Sequence, residues 1–168
     1  MRLIDVSTPK FPNTFAKVDD EDYERLAKFK WSAYGAGRTW YALRPIERDG
    51  KKTTIGMHQE VLPGLRLIDH INRDGLDNRR ENLRPCTPAQ NAWNATKTRG
   101  SSRFKGVAWH KSAKKWRAEI MAQGIYRYLG CFDCEGCAAI AYDNAARELF
   151  GEFACPNFYA PTYDHIAT

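Results

Sequence analysis

The stretch LIDHINRDGLDNRRENLRPCTPAQN, residues 67–91, constrains the fold of this 168-residue chain more than any other segment. LRLIDH, which predicts a strand, precedes a polar loop that contains a glycine, and NLRPC, which predicts a second short strand, follows the loop. Thr87 then stands at an N-cap position, and Pro88 stands at the first helical position, which proline favours. The segment is therefore predicted to fold as strand, loop, strand and helix.

The polar residues of this segment fit hydrolysis of a phosphodiester, which needs a deprotonated water and a cation on the phosphate. Histidine titrates near neutral pH and is the natural general base. Asp69 and His70 are adjacent on a predicted strand, so their side chains point to opposite faces. One can face a cation while the other faces the water, provided that the strand twists or bends there.

The spacing of Asp69 and His70, then Asn82, then Asn91 resembles the ββα-metal nuclease motif, and more narrowly the phage-type HNH homing endonucleases. The resemblance implies that His70 is the general base, and that Asn82 bonds across the loop and orients His70. It also implies that Asp69 and Asn91 bind one divalent cation. Both ligands offer hard oxygen donors, so Mg²⁺ is expected, with Mn²⁺ as the alternative, and zinc or nickel is disfavoured.

Other polar residues near the motif have structural or supporting interpretations. Asn72 and Asn78 lie in the loop, where asparagine tolerates turn geometry and bonds its own backbone, so both are predicted to be loop scaffolding. Asn94 is predicted on the helix surface. His58 is predicted on a strand just before the motif, where it either supports the site or packs as a structural histidine.

A calcium-binding loop is the competing interpretation of the same segment. His70, Asn72, Asp74, Gly75 and Glu81 fall at positions one, three, five, six and twelve of such a loop. Position one is histidine where aspartate is expected, and the flanking segments are predicted strands. Both features favour the nuclease motif.

A second domain is predicted beyond KTRGSS, residues 97–102, which has the composition of a linker. FKGVAWH, KKWRAEIMA and IYRYLGCF predict three strands, and CAAIAYDNAARELFG predicts an amphipathic helix. Residues 103–158 resemble the Apetala/ethylene-response-factor DNA-binding domain in KGV, WRAEI, YLGCF, AAIAYDNAA and NF. The resemblance implies a three-stranded sheet that enters the major groove, with the helix packed behind it.

Alternation along KKWRAEI predicts that Trp116, Ala118 and Ile120 face the helix while the intervening residues face outward. Ala108 and Met121 stand where the plant domains carry arginines, so a plant-like sequence preference is not expected. The candidate DNA-contacting residues are Arg84, Lys105, Gly106, Ala108, His110, Lys114, Lys115, Arg117, Glu119, Tyr126, Arg127 and Tyr128.

The charge distribution also favours a polyanionic partner. Net charge is +6, and no Asp or Glu occurs from Asn82 to Ala118. That window combines lysines and arginines with three tryptophans, a composition typical of nucleic-acid surfaces. The alternative is a basic surface that serves solubility only.

Five cysteines in a chain without a recognisable secretion signal argue against a disulfide framework. Cys131, Cys134 and Cys137 have double CxxC spacing, with Cys155 as a fourth thiol, which suits zinc by count. The resembling domain has no metal at these positions, and Cys134 stands where a helix cap is usual. Structural zinc is therefore not expected.

The predicted fold class is α+β, with a ββα-metal HNH nuclease domain followed by a small three-stranded antiparallel sheet packed on one helix. The predicted organisation is a supporting α+β segment at 1–56, the nuclease motif at 57–96, the linker at 97–102, the DNA-binding domain at 103–158 and a tail at 159–168. Within the first segment, VDDEDYERLAKFKW predicts a short helix with an acidic first turn. Asp49-Gly50 predicts a tight hairpin turn between two strands.

The predicted function is that of a metal-dependent DNA endonuclease, with a mobile-element role implied by resemblance. The alternatives are a DNA-binding transcriptional regulator with an inactive nuclease domain and an RNA-binding accessory protein. The expected partner is double-stranded DNA, with no small-molecule cofactor and no membrane, since no apolar run is long enough. The N-terminus lacks the apolar core of a signal peptide, so a cytoplasmic location is expected. A monomer is expected, with a dimer as the alternative.

Overall fold

The computed structural model describes residues 1–36, 39–96 and 99–159. The chain divides into two compact units, Met1–Asn91 and Ala92–Thr168. The strands are β1 (Arg2–Asp5), β2 (Phe15–Val18), β3 (Ser32–Ala36), β4 (Thr39–Arg48), β5 (Lys51–Gly56), β6 (Ile68–His70), β7 (Leu83–Pro85), β8 (Val107–His110), β9 (Lys115–Ala122) and β10 (Ile125–Phe132). The α-helices are α1 (Asp20–Leu26), α2 (Met57–Val61), α3 (Pro88–Asn94) and α4 (Glu135–Phe150).

The first unit contains three small antiparallel sheets, with strand orders β1-β2, β3-β4-β5 and β6-β7. Its core is apolar and continuous, and it includes Val6, Val18, Leu26, Met57 and Val61, all fully buried. The predicted hairpin turn at Asp49-Gly50 is confirmed between β4 and β5. Both turn residues have positive φ, as a tight two-residue turn requires.

The short helix expected after Val18 is confirmed as α1, whose first turn is acidic. His58, however, was predicted on a strand and lies in α2. The strand β5 ends at Gly56, and the chain then turns helical because Met57 and Val61 share one helix face and both enter the core. This helix directs His58 towards the β6–β7 hairpin.

The helix α3 begins as predicted, with Thr87 before its first residue, Pro88. The Gln90 backbone nitrogen donates to Thr87 Oγ1 at 3.2 Å, and the Thr87 backbone nitrogen donates to Gln90 Oε1 at 2.8 Å. This reciprocal pair is a capping box. The prediction for Asn94 is wrong: it is buried, with 2% of its surface exposed, although Asn91 and Ala92 of the same helix are exposed.

The second unit is the predicted three-stranded antiparallel sheet, in the order β10-β9-β8, packed on α4. Ala118 and Ile120 are buried on the helix side of the sheet, as alternation predicts. On α4 the matching buried positions are Ala138, Ala139, Tyr142, Ala146 and Phe150. The α+β fold class is thus confirmed.

The division between the units falls within α3, ahead of the predicted linker. Trp93 stacks on Phe150 with ring centroids 4.5 Å apart and an interplanar angle of 11°, which ties the end of α3 to the second core. Lys97 and Thr98, at the start of the predicted linker, lie outside the described residues. Among the described helices, none has the length and apolar character to cross a membrane.

Candidate active site and basic sheet

The β6–β7 hairpin positions the candidate catalytic residues. The register pairs Asp69 with Arg84 and His70 with Leu83, so His70 is the last strand residue before the loop. Asp69 and His70 are both buried, with 4% and 5% of their surfaces exposed. The hairpin therefore holds a carboxylate and an imidazole, on opposite faces of one strand, in a largely dehydrated setting.

The loop from Ile71 to Asn82 is closed by side chains that replace regular secondary structure. Asn82 accepts from the backbone nitrogen of Asn72 at 2.9 Å and donates to the backbone oxygen of Asp77 at 2.7 Å. Asn72 donates to the Asp77 carboxylate at 2.9 Å. Asn82 therefore bonds across the loop, and Asn72 has the scaffolding role predicted for it.

His70 is held by contacts that sequence reasoning did not identify. Its Nε2 lies 3.4 Å from Asn78 Oδ1, and its ring centroid lies 5.8 Å from that of Tyr41. Asn78 is 1% exposed, so this partner is fixed by its burial. Asn78 was predicted as loop scaffolding, but it contacts the imidazole. Sequence spacing could not predict this contact, because it depends on how the loop folds.

Burial lowers the pKa of His70 below its ordinary value, while the bond with Asn78 and the nearby Asp69 charge act in the opposite direction. The imidazole is therefore neutral near pH 7 and able to accept a proton. A proton on Nε2 that donates to Asn78 Oδ1 would leave the lone pair on Nδ1. This is the protonation state that a general base requires.

His58 packs edge-on against His70, with ring centroids 5.1 Å apart. Its Nδ1 is buried and has no hydrogen-bond partner among the residues that the structure describes. Burial, and secondarily the neighbouring His70, lowers the pKa of His58 to about 4. A Cβ at Gly56 would lie 2.4 Å from His58 Cε1, so glycine is needed for this ring position. His58 is thus a neutral neighbour of His70.

Arg84 was predicted to contact DNA, but its side chain lies inside the β6–β7 hairpin. Its Nε and Nη2 are 2.9 Å and 2.8 Å from Asp69 Oδ2, and its side chain is mostly buried. Because the two residues are paired across the strands, their side chains share one face. Arg84 therefore neutralises the Asp69 carboxylate within the hairpin.

The two candidate metal ligands differ in environment. Asp69 is buried on β6, whereas Asn91 is exposed on α3 and its backbone nitrogen donates to the Thr87 oxygen. One carboxylate and one amide offer the hard oxygen donors that Mg²⁺ or Mn²⁺ prefers. Within residues 1–36, 39–96 and 99–159, no three His, Cys, Asp or Glu side chains form a metal-ligand group.

The competing calcium-loop interpretation does not fit the fold. The strands β6 and β7 flank the loop, where a calcium-binding hand has two helices. Glu81, the twelfth loop position, is exposed and paired with Arg79.

The cysteine spacing has a structural explanation at the start of α4. Cys134 is the N-cap of α4, and its Sγ accepts from the Cys137 backbone nitrogen at 3.3 Å. An N-cap residue and the third helical residue are three apart, which is CxxC spacing. Cys155 is buried in the second unit, whereas Cys134 and Cys137 are exposed.

One face of the second unit's sheet carries exposed aromatic side chains together with charged ones. The register places Arg117 opposite Ala108 and Cys131, Glu119 opposite Tyr128, and Met121 opposite Tyr126, so these side chains share the face away from α4. We call this set the outer face. Arg117 and Glu119 form an ion pair at 3.2 Å, and both are about one-third exposed. The outer face has the wide exposed aromatic surface that nucleic-acid contacts use.

Three other candidates have different positions. Arg127 is paired with buried Ile120, which puts it on the helix side of the sheet. Lys105 Nζ donates to the backbone oxygens of Trp93 and Ala95 at the end of α3. Gly106 packs against Tyr142, where an added Cβ would lie 1.8 Å from the ring. Lys105 and Gly106 therefore have structural contacts within the second unit.

The turn between β8 and β9 carries the remaining candidates. His110 Nδ1 accepts from the Ala113 backbone nitrogen at 3.2 Å, which closes the turn. Lys114 adopts positive φ there, and the exposed Lys115 pairs with Asp133.

A histidine at the end of one strand of a short hairpin, with a helix following the hairpin, is the arrangement of a ββα-metal nuclease. The family described as HNH endonuclease matches residues 62–93, which contain the hairpin and most of α3. An uncharacterized HNH endonuclease of Acanthamoeba polyphaga mimivirus, L560, is 33% identical over 152 residues, covering 86% of this chain and 75% of the relative. The chain belongs to the HNH endonuclease family.

Two further relatives match parts of the chain. Protein 3.8 of Escherichia phage T7 is 35% identical over 88 residues, covering 52% of this chain and 72% of the relative. APETALA2-like protein 2 of Oryza sativa subsp. indica is 46% identical over 68 residues, covering 39% of this chain and 15% of the plant protein. The chain thus combines an HNH nuclease motif with an Apetala-like region.

Proposed function

We propose that this protein is a metal-dependent endonuclease that hydrolyses phosphodiester bonds of double-stranded DNA. The observation that carries the proposal is the buried imidazole of His70 at the end of β6, with its Nε2 3.4 Å from the buried Asn78 Oδ1. A histidine in this state can accept a proton near neutral pH. Family membership supports the same reaction class.

In the proposed reaction, His70 Nδ1 takes a proton from a water molecule, and the resulting hydroxide attacks the phosphorus of the scissile phosphodiester. One P–O bond forms with the hydroxide oxygen, and the bond to the leaving sugar oxygen breaks. Asn78 keeps the Nε2–H occupied, so the ring presents one defined atom to the water. Asn82 keeps the loop closed around this arrangement.

Asp69 and Asn91 would hold one divalent cation, Mg²⁺ or Mn²⁺, in a site of hard oxygen donors. Such a cation supplies Lewis-acid stabilisation of the negative charge that develops on the phosphate and leaving oxygen. His58 supports the base as a neutral ring that packs against His70 and excludes water from one side.

The outer face of the second unit is the proposed DNA-contacting surface. Arg117 offers a cation for phosphate or guanine, and Tyr126 and Tyr128 offer exposed rings. Ala108 and Met121 on the same face support a site preference different from that of the plant domains. A role in a mobile element is proposed from the resemblance to homing endonucleases.

Cleavage of supercoiled plasmid tests the proposal. We expect wild-type protein to relax or linearise plasmid with Mg²⁺ and to leave it intact with EDTA. His70→Ala should reduce cleavage by roughly 10²-fold or more, since a positioned base contributes that much, while DNA binding persists. The order in which nicked and linear product appear shows whether one chain cuts one strand or two.

A negative result on plasmid is resolved with a pool of duplexes carrying randomised sequence. Binding to the pool without cutting, in Mg²⁺ and in Mn²⁺, would contradict the endonuclease proposal. A DNA-binding regulator with an inactive nuclease domain would then replace it.

A further inference from the structure

The buried pair of Asp69 and Arg84 places a fixed positive charge at the proposed cation site. Two guanidinium nitrogens lie within 3 Å of one carboxylate oxygen, Asp69 Oδ2. Both side chains are at most 10% exposed, so water screens the pair weakly. The cross-strand register fixes the two side chains on the same face of a two-stranded ladder.

A divalent cation on Asp69 would lie close to this guanidinium. Two positive charges a few ångströms apart repel strongly when both are buried, and the repulsion lowers cation affinity. Arginine does not lose its proton at any physiological pH, so the repulsion cannot be relieved by titration. A second negative group is needed to offset it.

A DNA phosphate carries that second negative charge, and guanidinium groups bind phosphate oxygens in the same bidentate manner as carboxylate oxygens. A phosphate beside Asp69 would be shared by Arg84 and the cation. The carboxylate and the phosphate would then bring two negative charges against the three positive charges of the divalent cation and the guanidinium, where the carboxylate alone brings one.

We propose that Arg84 makes cation binding at Asp69 depend on bound DNA. The DNA-free protein binds the cation weakly, and a bound phosphodiester raises the affinity of the site for the cation. Arg84 is a positioning residue in this scheme, because it acts through Asp69. The inference rests on the proposed metal-dependent endonuclease function. The nuclease would therefore bind little divalent cation when no DNA is present.

The experiment measures Mn²⁺ binding by electron paramagnetic resonance in a His70→Ala background, which leaves the added DNA intact. A short duplex at low ionic strength is the probe, and duplex alone gives the background. With Arg84 present, we expect the duplex to raise Mn²⁺ affinity by about tenfold or more. Equal Mn²⁺ affinity with and without duplex would overturn the proposal, and this comparison needs no Arg84 variant.

Arg84→Met removes the charge and keeps a long side chain, while Arg84→Lys is the matched variant that keeps the charge. Arg84→Met should raise Mn²⁺ affinity of the DNA-free protein by about tenfold and reduce the effect of the duplex. Arg84→Lys should preserve the dependence on duplex. A merely structural role for Arg84 would weaken Mn²⁺ binding when the pair is broken, which is the opposite result.

Asp69→Asn separates this inference from the proposed function. If it abolishes Mn²⁺ binding but Arg84→Met leaves the affinity unchanged or lower, the cation site stands and the role of Arg84 is wrong. If Asp69→Asn leaves Mn²⁺ binding unchanged, the proposed cation site is itself wrong. Thermal unfolding with and without Mn²⁺ verifies that each variant is folded and gives an independent measure of binding.

Discussion

At the scale of single residues, the site depends on which side chain contacts the imidazole of His70. Asn82 has the spacing that the family motif requires, yet its amide bonds the loop backbone. Asn78 is the residue whose amide oxygen meets His70 Nε2. Loop closure and imidazole orientation are therefore divided between two asparagines four positions apart.

The role of Asn78 predicts a shift in the pH profile of cleavage. Burial lowers the pKa of His70, so the acid limb of kcat/KM should lie below pH 6.5 in the wild type. Asn78→Asp places a carboxylate beside the ring, which favours the imidazolium, so the acid limb should move to higher pH. The measurement is kcat/KM at roughly pH 4.5 to 8, a range that spans the titration of histidine.

Asn78→Ala is the control for this prediction, since it removes the hydrogen bond without adding charge. It should lower kcat by about tenfold, part of the roughly 10²–10⁴-fold that a positioned base contributes, and should not raise the acid limb. An unchanged pH profile of kcat/KM in Asn78→Asp would show that Asn78 does not influence the pKa of the base.

His58 predicts a pH dependence of stability. The unfolded chain protonates His58 near pH 6.5, whereas burial lowers the pKa in the folded state to about 4. The unfolded state therefore binds more protons between these values, and the free energy of unfolding should fall by up to about 3 kcal/mol as the pH drops from 6.5 to 4. His58→Leu should flatten this decline in denaturant titrations, and an equally steep decline in the variant would contradict the assignment.

At the scale of elements, the short strands and helices are stabilised by specific side-chain contacts, because few of them are long enough to be stable alone. The strands β6 and β7 have three residues each, too few to be stable alone, and the loop between them is closed by asparagine side chains. The helix α3 has a capping box, and α4 is capped by a thiol. The approach of β8 to α4 depends on Gly106, which leaves room for the Tyr142 ring.

Gly106 and Gly124 provide a matched pair of glycines to test that approach. Both have positive φ, but an added Cβ meets Tyr142 at Gly106 and nothing within 4 Å at Gly124. Gly106→Ala should destabilise the second unit by about 3 kcal/mol or more, whereas Gly124→Ala should cost about 1 kcal/mol of backbone strain. Thermal unfolding of the full chain measures both, and equal losses would show that the contact with Tyr142 is unimportant.

At the scale of the whole molecule, the chain has two units with separate apolar cores. The motif residues His70, Asn82 and Asn91 lie in the first unit, and the outer face lies in the second. The acid-free window from Asn82 to Ala118 crosses the division. The proposed chemistry and the proposed DNA-contacting surface thus lie in different units of one basic chain.

If the outer face contacts DNA, substitutions on the outer face should weaken DNA binding more than substitutions on the helix side of the sheet. Arg117→Gln should weaken binding several-fold and reduce the slope of log affinity against log salt by about one, as expected for one lost phosphate contact. Arg127→Gln is the matched control on the helix side of the sheet, and it should change the slope little. Fluorescence anisotropy at several salt concentrations tests both, and equal weakening would place the contact surface elsewhere.

Local pattern was sufficient for most of the fold. Alternation in KKWRAEI predicted the buried face of β9, Asp49-Gly50 predicted a hairpin turn, and Thr87-Pro88 predicted the start of α3. The fold class and the family followed from the same short segments. Each of these predictions depends on residues within a few positions of one another, so local physics and spacing decide them.

The tertiary structure decided the contacts between residues distant in sequence. His58 lies in a helix because Met57 and Val61 both enter the core, and it meets His70 only through that packing. Arg84 was predicted on the DNA surface, but the register of β6 and β7 turns it towards Asp69. The sequence by itself determined which chemical groups this protein has, and the packed fold decided which of them touch, because burial and strand register are properties of the whole unit.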